Sequence, residues 1–352
     1  MPLPTSEPLV SVITPLYNNE EYLEECIESI LAQTYQNWDY TIIDNCSTDS
    51  SGAIARRYAA RDSRIRVLDT EQFLRVVPNH NFALRQVSPA SKYCKMVFAD
   101  DWIFPSCLEQ MVAVAEQNSS IGIVGAYALE GSGVSCTGLP YRSSFVDGRQ
   151  ICRDHLLKSQ YVFGSPNSLL YRSDLVRNND PFFNEANIHA DTEVCFSLLR
   201  KCDFGFVHQV LTFTRMREGS LTGVAQDLQA SLAGRLQILL AYGSDFLDPQ
   251  EQETLLANHL SEYYRSLGRS LLLGQKKILD YHRTKLSASS VGFSRIRVLG
   301  GAIATLWRLG KNPGESIAKV FKPTLPNGPH SGQRNLRQGP HTRVPAEETR
   351  PE

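Results

Sequence analysis

Residues 10–49 read VSVITPLYNNEEYLEECIESILAQTYQNWDYTIIDNCSTD, and the architecture is decided here. Residues 10–14 (VSVIT) are short, apolar and β-branched, as a strand covered on both faces of a parallel sheet must be. Residues 20–33 follow at helical period. Leu23, Ile27, Ile30 and Leu31 share one face, while Glu20, Glu21, Glu24, Glu25 and Glu28 point away from it. Residues 40–44 (YTIID) form a second strand of the same character.

The alternation continues. Asp49 suits the N-cap of a helix carrying Ile54, Ala55, Tyr58 and Ala59. Residues 65–68, 95–99 (KMVFA) and 121–126 are further strands, with a helix at 105–117. This order predicts an α/β fold: an open, mainly parallel twisted sheet flanked by helices, with ligands bound beyond the carboxyl ends of its strands. Residues 131–148 are rich in Gly and Ser and read as loops. Residues 161–172 and 204–214 read as later strands around a helix at 192–201. From residue 226 the pattern changes to leucines at helical spacing: Leu228, Leu232, Leu236 and Leu239, then Leu256, Leu260, Leu267 and Leu271. The expected organisation is an α/β domain at 1–225, a C-terminal helical appendage at 226–322, and a disordered tail at 323–352.

A chain of 352 residues with 42% hydrophobic and 21% charged residues can bury a large core. A net charge of −1 gives no broad attraction to nucleic acid. The eight cysteines form no C-x-x-C pair and read as reduced thiols of a cytosolic protein. Residues 1–8 lack the basic and apolar regions of a signal peptide, and no apolar run reaches the 18 or so residues of a spanning helix. The expected location is the cytoplasm. Residues 294–311 align Ile296, Leu299, Ile303 and Leu306 on one face, flanked by Arg295, Arg297, Arg308 and Lys311. That pattern predicts peripheral contact with an anionic membrane surface, unless the apolar face covers the α/β domain instead.

Two strand ends carry the first polar constellation: Thr14-Pro15-Leu16-Tyr17-Asn18 and Asp44-Asn45-Cys46-Ser47-Thr48-Asp49. A base can stack on Tyr17, and the Asp44 carboxylate can accept a hydrogen bond from a ring N–H such as uracil presents. The same residues also suit a local role, with Asp44 and Asp49 capping the next helix. The second constellation is Phe98-Ala99-Asp100-Asp101-Trp102. Adjacent carboxylates at the end of an apolar strand repel each other and are costly to desolvate. A divalent cation removes both problems, and Mg²⁺ or Mn²⁺ readily bridges a carboxylate to substrate phosphates. The alternative is a solvated turn capping the helix at Pro105.

Taken in order, TPLYN, DNCSTD and ADDW at successive strand ends resemble the family 2 glycosyltransferases of the GT-A fold, over residues 8–222. The resemblance implies an inverting transfer of a sugar from a nucleotide-diphosphate donor, a uridine nucleotide first, to an acceptor hydroxyl. The setting it implies is bacterial surface polysaccharide or glycoconjugate assembly. It assigns Pro15, Tyr17, Asn18 and Asp44 to the nucleobase side, Asp100 to the ribose, and Asp101 to the metal, Mn²⁺ or Mg²⁺. Family members often carry a third acid two residues before this pair. Phe98 stands there, which leaves one carboxylate plus phosphates and water to hold the ion.

His189-Ala190-Asp191-Thr192-Glu193 opens a helix, and the resemblance makes Asp191 the catalytic carboxylate. Inverting transfer needs a base to take the acceptor proton as oxygen attacks. Glu193 is the rival base, an ordinary helix cap is the local alternative, and His189 reads as structural. In the closing segment 214–222, relatives carry an arginine followed two residues later by histidine. Arg217 occupies that second position. It cannot ligate a metal but can pair with diphosphate oxygens. The loop 164–168 (GSPNS) matches an acceptor-facing loop, and the acceptor is a saccharide, a lipid-linked sugar or another hydroxyl compound. Two other functions fit less of the sequence. A nucleotidyltransferase would carry a basic Gly-rich loop where TPLYNNEEY stands. A catalytically inactive sugar-binding or scaffold protein is suggested only by Phe98 and Arg217.

Overall fold

β1 (Val10–Leu16) is buried at every position, which explains why its sequence is apolar on both sides. In the computed structural model, which describes residues 7–158, 160–217 and 221–311, it lies inside one ten-stranded sheet. α1 (Leu23–Leu31), β2 (Trp38–Asp44), α2 (Ser51–Ala59), β3 (Ile65–Asp69), α3 (Val76–Leu84) and β4 (Tyr93–Met96) follow in sequence. The order across this half is β3-β2-β1-β4, all parallel. The chain winds outward from β1 to β3 and then returns to β1's other side. That reversal opens a crevice beyond the carboxyl ends of β1 and β4, where open α/β sheets bind ligands.

The second half of the sheet is mixed. β5 (Trp102–Ile103), α4 (Cys107–Ala115), β6 (Ile121–Glu130), β7 (Gly133–Ser135) and β8 (Phe145–Val146) come next. α5 (Gly148–Lys158), β9 (Leu169–Arg172), α6 (Ser173–Arg177), α7 (Ala190–Leu198) and β10 (Asp203–Thr214) complete this region. β9 runs antiparallel between β4 and β6, while β10 is parallel to β6. β4, β6 and β10 thus keep the expected parallel sense, while β9 and the short β5, β7 and β8 run against them. Of the stretch 161–172, only the last four residues are strand, because a 3₁₀ turn at Pro166–Ser168 precedes them. The glycine-rich stretch 131–148 contains the short strands β7 and β8, which pair with β6 and β10.

Side-chain alternation divides the core. Val10, Val12 and Leu16 of β1 meet α1, α2 and α4 on one face. Ile13 of β1, with Cys94 and Met96 of β4, meets α3, α5 and α7 on the other. The C-terminal helices are α8 (Leu221–Asp227), α9 (Ser231–Phe246), α10 (Pro249–Leu272), α11 (Lys276–Ser287) and α12 (Arg295–Lys311). α10 starts in a capping box, with Asp248 accepting from the Glu251 N–H and Glu251 reaching back to the Asp248 N–H. α9 joins two cores: Ile238, Leu239 and Phe246 pack under the sheet, while Leu232 and Leu236 pack against α10 and α11. Residues 312–352, including the expected tail, lie outside the described residues.

Candidate active site

The crevice is built first by tying the β1 and β2 loops together. Asn18, at φ 47°, accepts from the Thr48 N–H at 2.8 Å through its side chain, and its own N–H donates to Ser47 Oγ at 3.2 Å. Asp49 accepts from the N–H groups of Ser51 and Glu20 at 2.9 and 3.1 Å, so its carboxylate is occupied by structure. Pro15 is buried in β1 opposite Ile43, just past Ile13, the last β1 residue in register with β4. Asp44 is also buried, at the end of β2. One oxygen accepts from the Ser47 N–H at 3.0 Å, and the other lies 3.7 Å from Arg56. Gly52 lets α2 approach this closely, since a Cβ there would stand 2.3 Å from Asp44 Oδ2.

Tyr17 emerges exposed from β1 and meets Phe73, also exposed, with ring centroids 4.8 Å apart and planes at 59°. Sequence reasoning missed Phe73. Its position depends on Asn45, whose buried side-chain amide donates to Leu74 O and accepts from Leu74 N–H, both at 2.8 Å. Two flat apolar surfaces thus stand beside a carboxylate at adjoining strand ends, an arrangement suited to an aromatic base with a ring N–H.

Asp100 and Asp101 lie in the turn after β4. Asp101 is only 2% exposed. Its Oδ1 accepts from the Arg215 backbone N–H at 2.9 Å, and its Oδ2 is buried without a protein partner among the described residues. Burial, and then the neighbouring Asp100 charge, hold the Asp101 carboxyl well above the usual carboxylate range. A cation would reverse both effects, and the unpartnered oxygen offers it a ligand. Among the described residues no group of three or more His, Cys, Asp or Glu side chains is placed to hold a metal by itself. The residues therefore fit an ion shared with substrate oxygens, not an all-protein cage.

The segment after β10 closes over this turn. Arg215 donates to Asp100 O at 3.1 Å, pairs with Glu25, and lies 4.2 Å from the centre of the Tyr22 ring. Arg217 pairs with Asp100 at 2.9 Å, donates to Asn19 Oδ1 at 2.9 Å, and also overlies Tyr22. Arg217 thus spans the ends of β1 and β4 at the mouth of the crevice.

Asp191 and Glu193 both open α7, but their environments differ. Glu193 accepts from the side-chain amides of Asn184 at 3.1 Å and Asn187 at 2.6 Å, which fixes the preceding loop. Asp191 accepts from the Thr192 N–H at 2.7 Å. Burial raises its pKa, with His189 acting in the opposite direction. Gly234 of α9 lies against the His189 ring, 2.3 Å from its Cδ2 if a Cβ were added. Tyr161 feels charges from both strand and helix: its phenol is pushed well up by burial and then by Cys136, Asp191 and Glu130. Glu130 ends β6 opposite Thr214 of β10, and the next residue, Arg215, is the one bonded to Asp101. The loop at 164–168 is held from below by Lys95, which is fully buried and donates to Asn167 O and, at 3.2 Å, to Leu169 O. Lys95, Glu130 and Tyr161 were not singled out from sequence, and only a buried lysine in the strand KMVFA offered a signal.

The same arrangement of sheet and helices recurs in a solved structure, S. aureus TarS 1–349 in complex with UDP-GlcNAc. The two share 20% identity with a TM-score of 0.61, covering 86% of this chain and 92% of that one. At that identity the likeness shows the fold, which is of the GT-A kind. In sequence, the model of Glycosyl transferase family 2 matches residues 11–178. EpsH of Bacillus subtilis, which bears a glycosyltransferase name, is 33% identical over 302 residues, covering 83% of this chain and 82% of EpsH. The chain belongs to glycosyltransferase family 2. Other relatives match over a shorter span: Glycosyltransferase GlyG of Streptococcus pneumoniae is 33% identical over 34% of this chain and 39% of its own length.

Proposed function

We propose that the chain is an inverting glycosyltransferase moving a sugar from a nucleotide-diphosphate donor, a UDP-sugar, to an acceptor hydroxyl. The observation that carries this reading is the buried Asp101 carboxyl with its unpartnered oxygen, beside Asp100 at the crevice of a family 2 fold. A buried carboxyl oxygen is seldom left without a hydrogen bond by the fold alone, and here it stands beside a second carboxylate. Tyr17 and Phe73 hold the base, with Asp44 accepting from its ring N–H and Pro15 and Asn18 shaping the loop. Asp100 faces the ribose. Asp101 would hold Mn²⁺ or Mg²⁺, which would supply positive charge to the departing diphosphate. Arg217 leaves Asp100 for the diphosphate oxygens, adding a charge-assisted pair. Asp191 takes the acceptor proton, and its raised pKa makes its carboxylate a stronger base than one in water.

The UDP-GlcNAc bound by TarS supports a UDP-sugar, and family analogy supports a role in bacterial surface polysaccharide or glycoconjugate assembly. Under this reading the acceptor is a saccharide, a lipid-linked sugar or another hydroxyl compound. The catalytic residues lie within 1–225, and the helices that follow, α9 to α12, complete the fold. The chain works in the cytoplasm, touching the inner face of the membrane through 294–311. The test is UDP release from a set of UDP-sugars with Mn²⁺ and with chelator. Metal-dependent release is expected. UDP binding without release from any donor and acceptor tried would instead indicate an inactive binding protein, and absence of both would overturn the reading.

A further inference from the structure

α12 has two unlike faces. On the inner one, Val298, Ala302 and Thr305 are buried against α10. The two helices touch through glycine: a Cβ on Gly268 would stand 2.2 Å from Ala302 N, and one on Gly301 would stand 2.2 Å from Tyr264 O. This contact fixes α12 on the folded protein and determines which side chains face outward. Those are Ile296 (81% exposed), Leu299 (55%), Ile303 (67%), Leu306 (53%) and Trp307 (64%). Steps of three and four residues place them on one stripe. The end of α10 adds Leu271, Leu272 and Leu273, all exposed, just before Gly274 turns the chain at φ 66°. These eight make up nearly half of the seventeen large exposed apolar side chains among the described residues, and all belong to α12 and the end of the helix it packs against.

The charge is equally local. α12 itself, residues 295–311, holds four Lys and Arg and no Asp or Glu, in a chain whose net charge is −1. Arg269 and Arg265 of α10 and Arg308 of α12 lie close enough to feel one another's charge, with Glu262 of α10 opposing them. A second copy docked on this face would bring like charges together, since a two-fold interface meets its own surface. An anionic lipid surface complements both the stripe and its rim. Among the described residues no helix is long and apolar enough to cross a membrane.

We propose that α12 and the leucine end of α10 form a preformed docking surface for an anionic lipid bilayer. The apolar stripe enters the boundary between headgroups and acyl chains, and the arginines meet lipid phosphates. The inference rests on the peripheral location proposed above. It sharpens that proposal by adding a second element, a rigid presentation and a lipid charge.

The test is sedimentation of the full chain with vesicles of phosphatidylcholine and phosphatidylglycerol in equal parts, and of phosphatidylcholine alone. Binding to the anionic vesicles only, weakening with salt, is expected. Leu299→Asp with Ile303→Asp should weaken it by about tenfold or more. Arg295→Glu with Arg297→Glu should abolish the lipid-charge preference, and Leu271→Ser with Leu272→Ser should reduce binding in part. Wild-type protein that stays in the supernatant, or aspartate variants that sediment like wild type, would overturn the proposal. So would a lipid-free dimer that Ile303→Asp converts to monomer, which would assign the face to a second copy. UDP binding measured without vesicles distinguishes the two readings: its loss removes the donor site alone, and loss of vesicle binding removes the docking surface alone.

Discussion

Two carboxylates two residues apart on α7 are held for different ends. Glu193 is tied by the amides of Asn184 and Asn187, whereas Asp191 bonds locally, to Thr192, and adds its charge to those that push the Tyr161 phenol up. Asp191→Asn keeps the shape and removes the proton acceptor. Turnover should fall by roughly two to four orders of magnitude with UDP binding nearly unchanged, and Glu193→Gln should mainly cost about 1 kcal/mol of stability. Single-turnover rates and a UDP titration check this, and an active Asp191→Asn with a dead Glu193→Gln would reassign the base. Phe73→Ala should weaken uridine binding by roughly tenfold, the scale of one base–aromatic stack. At this scale Tyr17, Asp44, Asp100 and Asp101 were legible because polar residues ending apolar strands advertise themselves. Phe73 was not, because its placement opposite Tyr17 is made by Asn45 bonding to Leu74, 29 residues away. Gly52 was equally silent, since its value lies in what a side chain would strike.

Among the elements, the segment carrying Arg215 and Arg217 is held by two different kinds of bond. The Arg215 backbone anchors it to Asp101, while Arg217 competes for Asp100 and so for whatever Asp100 will hold. Replacing Arg217 should therefore move two affinities in opposite directions. Arg217→Met should leave uridine bound as well as or better than in wild type, because Asp100 is released. It should weaken UDP by about tenfold or more, because a charge-assisted pair to the diphosphate is lost. Calorimetric titration with both ligands decides it, and equal losses for the two would show that Arg217 serves only the fold. The elements themselves differ in how far sequence exposes them. β1, β2 and β4 are short apolar runs between amphipathic helices and follow from pattern alone. β9 is an equally apolar run, LLYR, but direction is not written in such a run: it is set by Lys95, Asn167 and the 3₁₀ turn, which bring the chain back antiparallel. α3 was missed because it buries Asn79 and Asn81, whose polarity hides the apolar period, and Asn81 gains its partner at Phe183, about a hundred residues on.

The whole molecule depends on helices that composition alone sets apart. A change of pattern at residue 226 marks a boundary in sequence, yet α8 spans it and α9 supplies Ile238, Leu239, Phe246 and the following Leu247 to the sheet's own core. Four buried side chains at about 1.5–3 kcal/mol each amount to roughly 6–12 kcal/mol, comparable to the whole stability of a domain. A fragment ending at 225 should fail to unfold cooperatively, whereas one ending at 288 should keep UDP binding. Acid should find a weakness shared by the two parts. His80 under the sheet, His155 on α5 and His282 on α11 are each held down to about 4 by burial. His282 illustrates the cause: fully buried, it donates from Nε2 to Leu228 O at 2.9 Å and accepts from the Tyr263 hydroxyl at 2.7 Å, so a second ring proton would have to turn that hydroxyl away and leave a charge shut off from water. The unfolded chain binds these protons near pH 6.5 and the folded chain only near 4, so the unfolded state holds more protons throughout that window. The stabilisation is complete above about pH 6.5 and is lost progressively as pH falls toward 4. Each group contributes a slope of up to about 1.4 kcal/mol per pH unit between pH 6 and 5, before most carboxylates titrate, while the raised carboxyls of Asp101 and Asp191 take up protons in the folded state and oppose it. Denaturant midpoints measured across pH 7 to 5 should fall, and His282→Gln, which keeps a donor for Leu228 O but cannot take the proton, should flatten the slope. A midpoint unchanged across that interval, or a slope untouched by His282→Gln, would mean that these imidazoles find a charged partner or open to water before the fold is lost.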